Sequence, residues 1–238
     1  MSFRALVGTE ALRLLRGWKA SIYLALSLVL AVAVTVILGT GDPNHETPML
    51  NMGTIWPFAC LQLIFCLTIF ASDAFSSDAG RGTLQLYIML PKKRITILLS
   101  KLVVPVIFFY AGIAIFSVAF TFIPYSTGFW KLWAAMIGFD SLLFFALLFS
   151  TLFISISLKG AGAPILVSSI LMLYLFIWPY QTAATFGSVN PFFVGASMMN
   201  DMWDGALDNT LPILNFILLT AGAFALSYYT LARKEVPE

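Results

Sequence analysis

Six stretches of this chain are long and oily enough to cross a bilayer, and they leave little else for it to fold into. They cover residues 20–38, 55–71, 102–122, 132–156, 163–180 and 211–231, and five of them contain no charged residue. A helix of about 20 apolar residues spans a hydrocarbon core, and it satisfies every backbone polar group from within one segment. No soluble core of this size has room for six such runs. Hydrophobic residues make up 60% of the 238 and charged residues 10%, against roughly 45–50% and about 25% in soluble domains. The sequence therefore predicts an all-α integral membrane protein with six transmembrane helices, residues 20–238 forming one membrane domain.

Six spans place both termini on the same side, and the basic residues say which. Twelve of the 13 Lys and Arg fall in the N-terminal stretch, the 72–101 segment, the loop with Lys159 and the C-terminal tail; only Lys131 lies on the other face. That asymmetry predicts a multi-pass protein of the cell (plasma or inner) membrane with cytoplasmic N- and C-termini. The opposite loops carry Asp42, Glu46, Asp201, Asp204 and Asp208.

Three regions outside the plain spans carry structure of their own. In residues 1–19, Phe3, Leu6, Val7, Leu14 and Leu15 can share one helical face while Arg4, Glu10, Arg13 and Arg16 gather on another. This predicts a cytoplasmic interfacial helix with its charged face in the lipid headgroups. The second span, residues 55–71, is expected to be entered through Trp56 and Pro57, after a loop of turn formers. Residues 181–210 are too long for a turn and too apolar for a solvated loop, and Pro191 and several glycines break them up. An external re-entrant segment before the last span fits, because irregular backbone at membrane depth must be buried in protein or line a cavity. Phe192, Phe193 and Trp203 are its candidate pathway or interface residues. Its methionines and acids suit pliable packing better than a soft-metal relay.

The inventory for catalysis is thin, and no catalytic residue is assigned. His45 is the one histidine and sits in a short polar loop. Cys60 and Cys66 lack the spacing of a zinc site, and no metal site is expected. The nearest approach to a phosphate-binding loop, Lys159-Gly-Ala-Gly, has its lysine on the wrong side and no following Ser or Thr. The chain itself is thus expected not to hydrolyse ATP, and nothing in it calls for a nucleic-acid partner. Asp140 is the one acid inside a span. A carboxylate there is costly unless it faces the bundle interior or a wet cavity, so it reads either as a pathway or interface residue or as a hydrogen-bonded structural acid, with Ser141 a candidate partner.

The remaining region, residues 72–101, is the longest charged interval and holds five basic residues. Thr83 fits an N-cap after Gly80-Arg81-Gly82, a short apolar-faced helix follows, Pro91 stops it, and a further helix runs into the third span. An ordinary loop between spans needs no glycine hinge, capped helix and proline stop. A helix presented beneath a bundle is where a membrane subunit meets a soluble one.

The run DAGRGTLQLYIMLPKKRITILLSK, Asp78 to Lys101, resembles the signature of ABC-2-type transporter permeases. That pattern has an acid, R-G-T-L-E-L-L, then P-x-x-R and a lysine at the third span; here Gln85 stands where an acid is common. The six-span layout, the interfacial helix and the external segment also look like that family. The resemblance implies the permease subunit of an ATP-driven exporter, moving a hydrophobic or amphipathic substrate (peptide, lipid-linked or antibiotic-like) out of the cytoplasm or inner leaflet. It implies a second permease subunit as dimer partner and two copies of a cytoplasmic ABC ATPase subunit, which would hold the ATP and Mg. Asp73, Asp78, Arg81, Thr83, Leu84, Leu86, Lys92 and Arg94 would then couple to that ATPase. The alternatives are a membrane anchor in an envelope-remodelling or metal/haem maturation ABC complex, and an ATP-independent secondary transporter or channel.

Overall fold

The computed structural model describes residues 3–15, 17–41, 48–71, 74–75, 78, 94–122, 127–158, 162–177 and 210–233. Among them are seven α-helices and no strand: α1 (Phe3–Leu15), α2 (Trp18–Gly41), α3 (Pro48–Cys66), α4 (Arg94–Phe120), α5 (Thr127–Ser157), α6 (Ala163–Ile177) and α7 (Thr210–Arg233). A buried π-helical turn, Leu67–Ala71, continues α3.

Three helical segments, Trp18–Leu38, Arg94–Phe120 and Phe129–Ser157, are long and apolar enough to cross a membrane. Ile55–Ala71 and Ala163–Tyr174 are shorter apolar helices. Helices cover most of each expected span, and several of their ends differ from the expected ones. Pro57 lies inside α3 rather than at its start, since the helix already begins at Pro48. Residues 48–54 are helical in spite of their Pro, Asn and Gly, because the chain on either side of Pro57 keeps its other backbone bonds and a single lost N–H is tolerated in a membrane bundle.

The core is built where these helices meet. On α2 the buried residues Ala20, Tyr23, Ser27, Ala31, Val34 and Leu38 recur at three- and four-residue steps, one seam of the helix. The rest of α2 is equally oily yet exposed, as at Leu28, Val29, Val32 and Val36. This exposed surface faces lipid if the helix spans, so α2 is apolar on every side.

α5 is the central post. At 31 residues it is about 46 Å long at 1.5 Å per residue, well over the ~30 Å of a hydrocarbon core. It packs most extensively on α7, where Phe149 meets Phe224 at 5.0 Å and Ser227 donates to the Phe149 carbonyl at 3.0 Å. On another side Phe144 stacks on Phe109 of α4 with ring centroids 4.0 Å apart. Near its start Phe129 and Trp133 pack edge-on against Phe120, and Trp133 Nε1 donates to Ser117 Oγ at 3.0 Å.

A buried polar contact joins α2, α3 and α4. Gln62 Nε2 donates to the Tyr23 hydroxyl and, at 3.4 Å, to the Phe109 carbonyl. Gly112 leaves the room for it, since a Cβ there would overlap Gln62 Nε2 and stand 2.8 Å from Gln62 Cδ.

Candidate site: a buried ring of charges at the base of the bundle

α1 brings Glu10 and Arg13 to one side of itself, three residues apart and therefore adjacent on its surface. Arg13 Nη2 pairs with Glu10 Oε2 at 3.0 Å. Across from them stand Lys101, in the second turn of α4, and Asp78, which follows α3 and its π turn after the turn at Ala74–Phe75. Lys101 Nζ is paired with Glu10 Oε1 and with Asp78 Oδ2. Arg13 Nη1 closes the ring on Asp78 Oδ1 at 2.9 Å. Two cations and two carboxylates thus alternate, each meeting both of the opposite sign.

The ring is deep. The Lys101 side chain is 2% exposed and those of Glu10 and Asp78 are 6%, while Arg13 is 24% exposed and forms the outer edge. Single charges in such a place would cost several kcal/mol each. Pairing makes them tolerable, and the low dielectric then strengthens each attraction. The Phe75 ring lies 5.9 Å from Lys101 Nζ and adds an aromatic face to the cation's surroundings.

Two further bonds fix neighbouring parts of the same region. The Phe75 amide donates to Ser155 Oγ of α5 at 3.1 Å. Arg94, the first residue of α4, donates from Nη1 to the Leu231 carbonyl at 3.0 Å. Leu231 is in the last turn of α7, where carbonyls lack intrahelical partners and a cation is favourable.

Of the residues singled out for coupling, Asp78 and Arg94 are placed, the first in the ring and the second at the α7 terminus. Asp73, Arg81, Thr83, Leu84, Leu86 and Lys92 lie outside the described residues, as do Phe192, Phe193 and Trp203 of the 181–210 stretch. The N-terminal helix differs from expectation in one respect. Glu10 and Arg13 do not join Arg4 on a headgroup face; they turn inward, because Lys101 and Asp78 need partners more than the headgroups do. The sequence pointed to this in two places: an acid on an otherwise basic helix, and a lysine inside the oily α4.

Asp140 is the second position of interest. It is 2% exposed in mid-α5, and its Oδ1 has no hydrogen-bond partner among the described residues. Ser141 does not serve it: its hydroxyl donates to the Ile137 carbonyl at 2.7 Å and accepts from Tyr110 at 3.1 Å. An unsatisfied buried oxygen costs about 1–3 kcal/mol. Asp140→Val, similar in volume, should therefore raise the unfolding temperature in detergent. A drop instead would mean that the carboxyl has a stabilising partner.

No family model matches the chain, and no curated protein gives a significant match. Function is accordingly read from the charge ring and from the sequence around it. The ring offers fixed charge and mechanical linkage, and among the described residues no group of three or more His, Cys, Asp or Glu side chains is arranged to hold a metal.

Proposed function

We propose that the chain is the membrane subunit of an ATP-driven exporter of the ABC-2 type. The observation that carries this reading is the ring itself. It joins the N-terminal helix, the residue that opens the 78–101 run and the base of α4, and two of its four members, Asp78 and Lys101, are the two ends of the run that resembles the permease signature. A bundle that only filled a membrane would not need two carboxylates and two cations buried at the base of one helix.

In this reading α2, α3 with its π turn, α4, α5, α6 and α7 are the six spans, and both termini are cytoplasmic. α1 lies along the inner surface. Leu12, Leu15 and Trp18 on its outer side and at the start of α2 are 53%, 60% and 70% exposed, a surface suited to lipid. Residues 181–210 form the external re-entrant stretch. The bundle pairs with a second permease subunit, and two ATPase subunits with their ATP and Mg dock on residues 72–92. The cargo is hydrophobic or amphipathic.

Purification of the full chain from its native host in mild detergent tests this. The expected result is a soluble subunit with ATPase activity in equal proportion to the permease. Leu84→Asp with Leu86→Asp should leave membrane insertion intact and cut the recovered ATPase by about tenfold or more, since two charges would enter an apolar contact. A well-folded chain with no ATPase would instead favour an ATP-independent transporter or channel, with Asp140 as its first candidate residue.

A further inference from the structure

Residues 79–93 are flanked by Asp78 and Arg94, and both flanks are tied to α4. Arg94 begins the helix. Asp78 is bound to Lys101, two helical turns further on the same face, about 10.5 Å along the axis. α1 reaches the same lysine through Glu10. Four residues past Lys101 comes Pro105, inside α4. Proline has no amide hydrogen, so the Lys101 carbonyl loses its ordinary helical partner, and the helix is weakest at that point. The Cys66 thiol donates to the Pro105 carbonyl at 3.5 Å on the α3 side. The first turns of α4, residues 94–104, thus form a stub that carries both anchors and ends at a proline.

We propose that Lys101 is a positioning residue that makes α1, Asp78 and the α4 stub a single moving body, with Pro105 as its point of flexure. The functional meaning rests on the exporter reading: a push on residues 79–93 by an ATPase passes through Lys101 to α1 and α4 together. The linkage itself does not depend on that reading.

A charge-balanced variant separates linkage from folding. Lys101→Met with Glu10→Gln removes one cation and one anion, breaks the ion pairs that link Lys101 of α4 to Glu10 and Asp78, and leaves the Arg13–Asp78 pair and the packing of α1 on α4 in place. The reporter is Leu6→Cys on the full chain, labelled with a water-soluble maleimide. Leu6 is 1% exposed, and the native Cys60 and Cys66 are both buried. In the otherwise native chain the introduced thiol should label slowly. In the charge-balanced variant it should label about tenfold faster or more, as local opening of α1 becomes easy. Lys101→Arg, which keeps a cation able to reach two carboxylates, should stay slow. In the complex with the co-purified ATPase, the charge-balanced variant should retain the ATPase in full proportion while maximal turnover falls. Slow labelling in the charge-balanced variant would overturn the proposal, as would native turnover in a variant whose thiol is released. Absence of any co-purifying ATPase would sink the exporter reading alone, and the thiol measurement would still decide the linkage.

Discussion

Lys101→Met alone should cost about 3–5 kcal/mol of folding stability, the range seen when one partner of a buried ion pair is removed. The reason is what the substitution leaves behind. Glu10 and Asp78 remain buried, at 4% exposure each, and both have lost a cation. Arg13 still touches both, but from the outer edge. The site then holds two carboxylates and one cation in a poor solvent for the excess charge. Adding Glu10→Gln should recover at least half of the loss, because it removes the surplus anion. Replacing all four groups by apolar residues of matching volume should lie closer to the native stability than Lys101→Met does, as pairing and desolvation nearly cancel in such clusters. Thermal unfolding of the four proteins in one detergent reads the order directly. A loss below about 1 kcal/mol for Lys101→Met would mean that water reaches the ring and screens it.

The helices themselves could be read from the sequence because their lengths are set by the solvent. Uncharged runs at 20–38, 102–122 and 211–231 became α2, α4 and α7, with ends within three residues of the runs except that α4 starts eight residues earlier, at Arg94. Their faces could not be read. In water an amphipathic stripe shows which side is buried, but Val34 in the α2 seam and Val36 outside it are the same residue, since lipid and protein interior accept valine equally.

The charge ring was legible only in part. Asp78 stood out through the run that follows it, but its partners did not. Glu10 and Lys101 are 91 residues apart, and no periodicity links positions that far apart. What the sequence does offer is a demand: a lysine seven residues into an oily helix must find an anion. Glu10 met that demand instead of decorating a headgroup face. Asp140 shows the opposite case. Its neighbour Ser141 suggested a hydrogen bond, yet a serine in a helix readily bonds back to the carbonyl four residues earlier, and this one does.

Gly112→Ala should destabilise the bundle even though alanine is the better helix former. On propensity alone the change would favour the helix by about 1 kcal/mol, so a net loss isolates the packing. The new methyl would overlap Gln62 Nε2, stand 2.8 Å from Gln62 Cδ and crowd the Tyr23 hydroxyl. Gln62 is 2% exposed and Tyr23 fully buried, so neither side chain has free space to retreat into. Overpacking of this kind costs about 1–3 kcal/mol, and here it also threatens the hydrogen bonds from Gln62 to Tyr23 and to the Phe109 carbonyl. Gln62→Ala makes room. Alone it should destabilise by about 1–2 kcal/mol through lost bonds; combined with Gly112→Ala it should cost less than the two single changes added together. A coupling of about 1 kcal/mol or more in that cycle would tie the glycine to the glutamine. Strict additivity would mean that the three helices can separate enough to admit the methyl, and that the contact across α2, α3 and α4 is not what holds them at this spacing.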